Sequence, residues 1–140
     1  MKGKYFIDTN IILYSFDSRY PKKQSDATKI ISSAITDGMG VISYQVIQEF
    51  CNVATSKFSS KMNISDCRLY IHDFLEPICE IYPSIELFME ALSIREEASL
   101  GFYDALIVAS SVRASCRILL SEDMNHGQEI RGVKILNPFR

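Results

Sequence analysis

The sequence predicts an α/β fold built on parallel strands, and three observations support that class. Several short runs of residues are apolar throughout instead of alternating with polar residues, which is typical of strands covered on both faces. Stretches with helical spacing alternate with these runs, so successive strands are expected to lie parallel. The 140 residues are 47% hydrophobic, which suffices for one core, and no repeat or linker divides them. We therefore expect one domain over residues 1–140.

Five apolar runs bounded by polar residues are the candidate strands. The first is the stretch "YFI" at residues 5–7, directly before an aspartate. The others are residues 40–43, 78–82, 117–120 and 133–136, of which 78–82 has the weakest pattern.

Helical spacing predicts five helices and one short turn between these strands. The helices are expected over residues 22–37, 44–58, 65–75, 85–99 and 102–115, and the turn over residues 11–14. Ser43, Ser65 and Ser84 are the predicted N-caps, because a serine hydroxyl accepts a hydrogen bond from a free N–H of the first helical turn. Pro77 and Pro83 mark helix ends, since proline cannot continue a helix.

The composition excludes several classes of protein. No run approaches the roughly 18 apolar residues of a membrane helix, and residues 1–4 lead into a strand without a signal-peptide pattern, so we predict a cytoplasmic location. The four cysteines are scattered and match neither a zinc pattern nor a disulfide framework. The net charge of −2 gives no basic field. A chain without a basic field is less suited to bind nucleic acid, but bound metal would neutralise a few of the acids and so weaken this argument.

Aspartates follow two of the predicted strands, at the edge where parallel sheets bind ligands. Asp8 follows residues 5–7, and Asp123 follows residues 117–120. Asp8 could instead cap the turn at 11–14, although Asn10 lies closer to that turn. Asp123 could instead bond its own loop backbone. Glu122 competes with Asp123, but neighbouring side chains at a strand end point to opposite faces, so only one should enter the crevice.

Two further acids lie on predicted helices. Asp104 opens the apolar helix 102–115, where a carboxylate either complements the helix dipole or acts as a ligand. Glu49 shares a helical face with Val46 and Val53, so its side chain either reaches outward from an apolar stripe or points into a site.

One arrangement would account for all four acids, namely carboxylates that converge at the carboxyl ends of the strands. Two like charges about 4 Å apart repel by roughly 4 kcal/mol at an effective dielectric near 20, so such a cluster must bind protons or cations. Oxygen ligands suit Mg²⁺ or Mn²⁺, the hard ions that act on phosphate esters. The sequence therefore predicts a metal site.

The segments "FIDTN", "QEF", "YDALIVASS" and "LLSEDM", in this order, resemble the motifs of PIN-domain nucleases, in particular VapC-type toxins of type II toxin–antitoxin systems. The resemblance covers essentially the whole chain. It implies a three-layer fold with a small parallel sheet of four or five strands flanked by helices. The catalytic, metal-binding acids it implies are Asp8, Glu49, Asp104 and Asp123. The supporting polar residues it implies are Thr9, Asn10 and Ser121.

The same resemblance implies an endoribonuclease that hydrolyses RNA phosphodiester bonds with one or two Mg²⁺ or Mn²⁺ ions. Its expected partners are an RNA substrate, a cognate antitoxin and a second copy of the chain. Two alternatives stay open: a PIN-domain nuclease of RNA processing that is not a toxin, and a non-catalytic RNA- or protein-binding domain that keeps the fold. A phosphatase with Asp8 as nucleophile would expect an aspartate two residues later, where Asn10 stands.

The sequence departs from the family pattern near the fourth acid. Ser121 stands where a threonine is frequent, and "MNHG" stands where many members have an acid and an aromatic residue. His126 is a candidate phosphate contact or a surface residue, and His72 is expected to be structural or solvated. The candidate RNA-binding cations are Lys22, Lys23, Lys57, Lys61, Arg95 and Arg131. The candidate apolar partner contacts are Phe58, Phe74 and Phe88, for which core packing is the default.

Overall fold

A computed structural model describes residues 3–56 and 62–140 of the chain. The strands in this part are β1 (Tyr5–Ile7), β2 (Gly40–Ser43), β3 (Cys79–Ile81), β4 (Ile118–Leu120), β5 (Glu129–Ile130) and β6 (Val133–Leu136). The helices are α1 (Thr9–Tyr14), α2 (Pro21–Asp37), α3 (Tyr44–Ser56), α4 (Ile64–Tyr70), α5 (Ile85–Ala98) and α6 (Phe102–Arg113). A π-helical segment, Ile71–Leu75, and a 3-10 turn, Glu76–Ile78, connect α4 to β3. The predicted α/β class is confirmed.

The described strands form one sheet in the order β3-β2-β1-β4-β6-β5. Strand β1 lies centrally between β2 and β4, and it pairs with both in parallel. The register places Ile7 opposite Leu120, the last residue of β4. The residues that follow β1 and β4 therefore leave the sheet at the same edge, as the sequence predicts for two parallel neighbours.

Burial on both faces explains why the strands contain continuous apolar runs. Every residue of β1 and β2 is buried, and α6 is buried from Ala105 through Ser111. Ser110 and Ser111 lie within this apolar stretch without unpaired hydroxyls, because each donates a hydrogen bond to the carbonyl four residues earlier. This rigid centre supports the edge at which the strands end.

Strand β2 packs unusually closely on helix α2. Gly40 lies directly against Ala34, and a Cβ atom added at Gly40 would overlap the Ala34 Cβ and lie 3.0 Å from Tyr5 Cε2. Position 40 requires glycine because there is no space for a side chain. The three atoms nearest to the added Cβ belong to Ala34 and Tyr5, which are both buried in the core.

The predicted strands are confirmed within one residue at each end, but the described sheet has six strands instead of four or five. The additional strand, β5, has only two residues and runs antiparallel to β6. Arg131 and Gly132 join these two strands with φ values of 48° and 83°, as a two-residue hairpin turn requires. Two residues are too few to show a periodic pattern, which is why the sequence does not reveal this strand.

Several predicted helix starts are wrong by a few residues. The turn expected at residues 11–14 is helix α1, which begins at Thr9. Helix α4 begins at Ile64 and is capped by Asn63 instead of Ser65, because the Asn63 side chain accepts a hydrogen bond from the Asp66 N–H. Ser84 is confirmed as the N-cap of α5. Ser43 makes no capping bond, since its buried hydroxyl has no partner among the described residues.

Helices α2, α5 and α6 lie close to their predicted limits. The predicted end of the third helix, Phe58, lies outside the described residues. Helix α4 ends at Tyr70, so the predicted 65–75 helix is completed by the π-helical segment. Within the described residues, no helix is both long enough and apolar enough to span a membrane.

Candidate active site

Asp8 ends the central strand and begins the first helix. Its backbone is extended, and its Oδ1 accepts a 2.7 Å hydrogen bond from the Thr9 N–H, so Asp8 is the N-cap of α1. The expectation that Asn10 serves this capping role is therefore wrong. The cap holds a carboxylate at the edge of the core, where only 8% of the residue is exposed.

The second oxygen of Asp8 is held from the neighbouring strand. Ser121 follows β4 directly, and its Oγ donates a 2.8 Å hydrogen bond to Asp8 Oδ2. Ser121 is fully buried, so this hydrogen bond lies in a region of low dielectric, where it orients the carboxylate strongly.

The next two residues of α1 hold acids from other elements. Thr9 Oγ1 donates a 2.7 Å hydrogen bond to Glu49 Oε1 on α3. Asn10 Nδ2 donates a 2.8 Å hydrogen bond to Asp123 Oδ2, beyond β4. Glu49 is partly buried and is held by Thr9, so its side chain does not simply extend into solvent from the apolar stripe.

Four acidic side chains line one cavity of about 210 Å³, which we call the acidic cavity. They come from the end of β1, from α3, from the first turn of α6 and from the loop after β4. These acids are Asp8, Glu49, Asp104 and Asp123. None of the described residues that line this cavity is a lysine, an arginine or a histidine. The structure thus brings all four predicted acids together with no cation to balance them.

The carboxylates influence one another's protonation. The pKa of Asp8 is raised from 3.8 to about 6, first by burial and also by the charges of Glu49 and Asp104, while the hydrogen bonds from Ser121 and Thr9 oppose this rise. The pKa of Asp104 is also raised, first by the packing around its carboxyl group and then by the charge of Asp123. The site therefore favours either protons or a bound cation.

Glu122 takes a different direction from its neighbour Asp123. Its carboxylate accepts 2.6 Å hydrogen bonds from Tyr14 Oη and Lys23 Nζ. Burial raises the pKa of Glu122, but these two donors more than offset that effect and the pKa is lowered overall. As predicted, one of the two adjacent acids lines the cavity and the other does not.

The structure also brings to the acidic cavity two residues that were not predicted from the sequence. Gln45 and Tyr103 line the acidic cavity with the four acids. Gln45 lies four residues before Glu49, and this spacing in the sequence indicates that the two side chains share one face of α3. The amide oxygens of Asn10 and Gln45 are buried and have no hydrogen-bond partner among the described residues.

This donor set fits Mg²⁺ or Mn²⁺ in its chemistry. The candidate ligands are oxygens, from the carboxylates and from the unpaired amide oxygens of Asn10 and Gln45, and hard divalent ions prefer such ligands. Within the described residues, no three Asp, Glu, His or Cys side chains are close enough to form a complete ion site. The side chains of Asp104 and Asp123 are the exposed ones, so they have room to move toward an ion.

The predicted cations and histidines that the structure describes do not line the acidic cavity. Lys23 pairs with Glu122, Lys22 with Asp26, and Arg131 with Glu97. Arg95 is exposed, whereas Lys57 and Lys61 lie outside the described residues. His126 Nδ1 accepts a hydrogen bond from the Asn137 N–H, and His72 is exposed beside Asp73.

The family of the chain follows from comparison with known proteins. The PIN domain model matches residues 5–128, and the chain therefore belongs to the PIN-domain family. This confirms the resemblance seen in the four sequence motifs. No curated protein matches the chain significantly.

Solved structures with the same fold include components of toxin–antitoxin complexes. A chain of the toxin–antitoxin complex from Klebsiella pneumoniae is 19% identical, with a TM-score of 0.67 over 96% of this chain and 98% of that chain. A chain of DNA-bound VapBC2 from Rickettsia felis is 18% identical, with a TM-score of 0.62 over 94% and 96%. A chain of DNA-bound VapBC from Salmonella typhimurium is 14% identical, with a TM-score of 0.66 over 95% and 96%.

Proposed function

We propose that this protein is a metal-dependent endoribonuclease that hydrolyses RNA phosphodiester bonds and acts as the toxin of a toxin–antitoxin pair. The observation that carries this proposal is the acidic cavity, where four carboxylates from distant parts of the chain meet without a balancing cation. Binding of RNA alone would not require such a group, because carboxylates repel phosphates. Nuclease chemistry with a divalent cation does require it.

In this proposal Asp8, Asp104 and Asp123 hold Mg²⁺ or Mn²⁺. The bound cation supplies activation of water and stabilisation of charge on the leaving oxygen. Ser121 and the Thr9 amide orient Asp8 through hydrogen bonds to its two oxygens. Such supporting bonds fix the direction in which a carboxylate presents its remaining lone pairs.

Glu49 is the proposed proton acceptor or water-positioning residue. Thr9 holds its Oε1, which leaves Oε2 as the oxygen that can take a proton from the attacking water. Asn10 holds Asp123 in the same way. Adjacent residues of one short helix therefore position two acids that are 74 residues apart in the chain, at positions 49 and 123.

The proposed partners are an RNA substrate, an antitoxin protein and a second copy of the chain. The antitoxin is supported by the fold neighbours, which come from toxin–antitoxin complexes. The second copy is supported by an exposed stripe on α5, where Ile85, Met89 and Leu92 are 67%, 59% and 50% exposed. Their spacing places them on one helical face.

We further propose that residues 1–140 act as one nuclease domain in the cytoplasm.

The proposal predicts that Mn²⁺ stabilises the protein against heat. Binding at a concentration of about 100 times Kd contributes about 2.7 kcal/mol, which corresponds to a rise in Tm of roughly 5–10 °C for a domain of this size. The rise should be smaller at pH 5 than at pH 7.5, because Asp8, with a pKa of about 6, must lose its proton to bind the cation. Differential scanning calorimetry measures both, with KCl at matched ionic strength as the control. An equal Tm with and without Mn²⁺ at pH 7.5 would contradict the metal site.

Asp123 and Glu122 provide a matched test of the cavity. Asp123→Asn is expected to lower RNA cleavage at a fixed Mn²⁺ concentration by about 100-fold, because metal activation loses a ligand. Glu122→Gln is expected to leave cleavage within about threefold and to cost about 1 kcal/mol of stability, since it weakens the partly exposed ion pair with Lys23. Initial cleavage rates and urea unfolding separate the two effects. Equal losses of cleavage in the two variants would refute the assignment of Asp123.

A further inference from the structure

A second cavity adjoins the acidic cavity. It has a volume of about 400 Å³ and lies between α3, the end of β3, the start of α5 and α6. Five aromatic residues contribute to its wall, so we call it the aromatic cavity: Tyr44, Tyr82, Phe88, Phe102 and Tyr103. Gln45 and Tyr103 line both cavities. A phosphate held at the acids would therefore have its adjoining nucleotide beside the aromatic cavity.

The tyrosines of this cavity present their rings to solvent. Tyr103 is 68% exposed, Tyr82 is 55% exposed and Tyr44 is 43% exposed. The Tyr44 and Tyr82 ring centroids are 5.8 Å apart with the ring planes inclined at 46°, so these two rings lie beside each other. Exposed aromatic rings are the platforms on which single-stranded RNA bases stack.

Two residues that line the same cavity carry unpaired polar atoms. Ser43 is 2% exposed and Gln45 is 9% exposed, and both residues line the cavity. Ser43 Oγ and Gln45 Oε1 have no hydrogen-bond partner among the described residues, although the Gln45 side-chain amide donates to the Tyr103 carbonyl at 3.3 Å. Buried polar atoms without partners destabilise the unliganded protein, so a ligand that forms hydrogen bonds with them binds more tightly.

These features select a flat ligand with a polar edge. The rings offer stacking, Gln45 Oε1 accepts a hydrogen bond from an amino or imino group, and Ser43 Oγ can donate or accept. None of the described lining residues is a lysine or an arginine, which makes the cavity unsuited to a phosphate. Its volume is within the range of about 300–1,000 Å³ that is usual for small-molecule sites.

We propose that the aromatic cavity binds one unpaired RNA base next to the phosphate that is cleaved. This inference rests on the proposed nuclease function and adds a determinant of substrate choice to it. Stacking accepts any base, whereas Gln45 Oε1 favours a base whose edge carries a hydrogen-bond donor opposite it, and Ser43 Oγ can pair with either a donor or an acceptor.

Photo-crosslinking tests the proposal directly. The probe is a single-stranded RNA about nine nucleotides long, within the usual span of such sites. It contains 5-iodouridine, which crosslinks to aromatic side chains in contact with it. Irradiation with the wild-type protein in CaCl₂, followed by peptide mass spectrometry, is expected to place crosslinks on Tyr103, Tyr82 or Tyr44. Crosslinks confined to other residues, or none at all, would overturn the proposal.

Variants make the test quantitative. Tyr103→Ala is expected to raise the Kd of the same RNA about 10-fold in fluorescence anisotropy, since the variant loses the stacking of one base on the Tyr103 ring. Folding should be retained, because the side chain is mostly exposed. The matched control is Tyr20→Ala, an exposed tyrosine that lines neither cavity, for which the Kd should change less than twofold. Equal effects of the two substitutions would contradict the assignment.

The outcomes separate this inference from the nuclease proposal. Crosslinks in the aromatic cavity without cleavage of the RNA in MnCl₂ would support the base site and refute the nuclease. Cleavage without such crosslinks would refute the base site and leave the nuclease intact. Analytical ultracentrifugation of Tyr82→Ala adds a third case. If this variant dissociates a dimer while RNA binding is unchanged, the cavity is an interface between two copies and the inference is wrong.

Discussion

Asp8→Asn is expected to lower kcat/KM for RNA cleavage by about 1,000-fold or more in the presence of Mn²⁺. Asp8 directly follows the central strand β1, and both of its carboxylate oxygens accept hydrogen bonds from neighbouring residues. Removal of its charge would weaken the proposed cation site and would leave a neutral amide in the place of a carboxylate ligand. The loss of one preorganised electrostatic group in a water-excluded site by itself lowers a reaction rate by about 100- to 1,000-fold. Initial rates on a fluorescent single-stranded RNA measure the effect.

The same substitution is expected to stabilise the protein in EDTA at pH 7.5. The pKa of Asp8 is about 6 in the folded protein, against an ordinary value of 3.8. The folded state therefore binds more protons than the unfolded state between these values, and its stability falls as the pH rises through them. This pKa difference of about two units corresponds to a loss of at most about 3 kcal/mol in the free energy of unfolding when Asp8 ionises. The asparagine variant avoids this loss at pH 7.5, whereas at pH 3.5 Asp8 is protonated in the wild type and no such difference is expected.

Urea unfolding at the two pH values, with EDTA present, tests the stability effect. Asp26→Asn is the matched control, since Asp26 lies on α2, does not line the acidic cavity and forms a surface ion pair with Lys22. This control should retain wild-type cleavage and change stability by less than about 1 kcal/mol. A loss of both activity and stability in Asp8→Asn would indicate that Asp8 is a structural cap instead of a member of the active site.

Local patterns in the sequence were sufficient for most of the fold. Strands β1, β2 and β6 have their predicted limits, because each is a buried apolar run with polar neighbours. The hairpin strand β5 and the π-helical segment were not predictable in this way. The first is too short to show a period, and the second continues the helical pattern of residues 65–75 with a different hydrogen-bond spacing.

The sequence also contained the positions of the four acids, but not the way in which they are held. Thr9 and Asn10 are adjacent, yet one bonds to Glu49 and the other to Asp123. Which partner each side chain selects depends on the packing of α1 against α3 and on the loop after β4, and no local pattern encodes those distances. The capping role of Asp8 was only one of two alternatives in the sequence, beside capping by Asn10, because α1 starts closer to β1 than its apolar residues indicate.

Gly40→Ala is expected to destabilise the protein by about 3 kcal/mol, although alanine is ordinarily the better residue in a strand. The new methyl group would overlap the Ala34 Cβ and lie 2.9 Å from the Ala34 Cα and 3.0 Å from Tyr5 Cε2. Helix α2 and strand β2 must then separate, and such overpacking typically costs about 1–3 kcal/mol and occasionally more. Gly101→Ala is the control, because no atom lies within 4 Å of its added Cβ and its φ is −64°.

A second substitution isolates the cause of this loss. Ala34→Gly alone should cost about 1 kcal/mol, as glycine does in a helix interior. In the double variant the overlapping methyl group is gone, so Gly40→Ala should then cost at least about 1 kcal/mol less than it does in the wild-type background. Urea unfolding of the four proteins measures this coupling. Strictly additive losses of stability would mean that the close packing of α2 on β2 does not restrict the size of the side chain at position 40.

The displacement caused by Gly40→Ala should also affect activity. Because β2 leads into α3, which carries Gln45 and Glu49, RNA cleavage should be lower in Gly40→Ala, and the double variant should recover part of the lost cleavage rate.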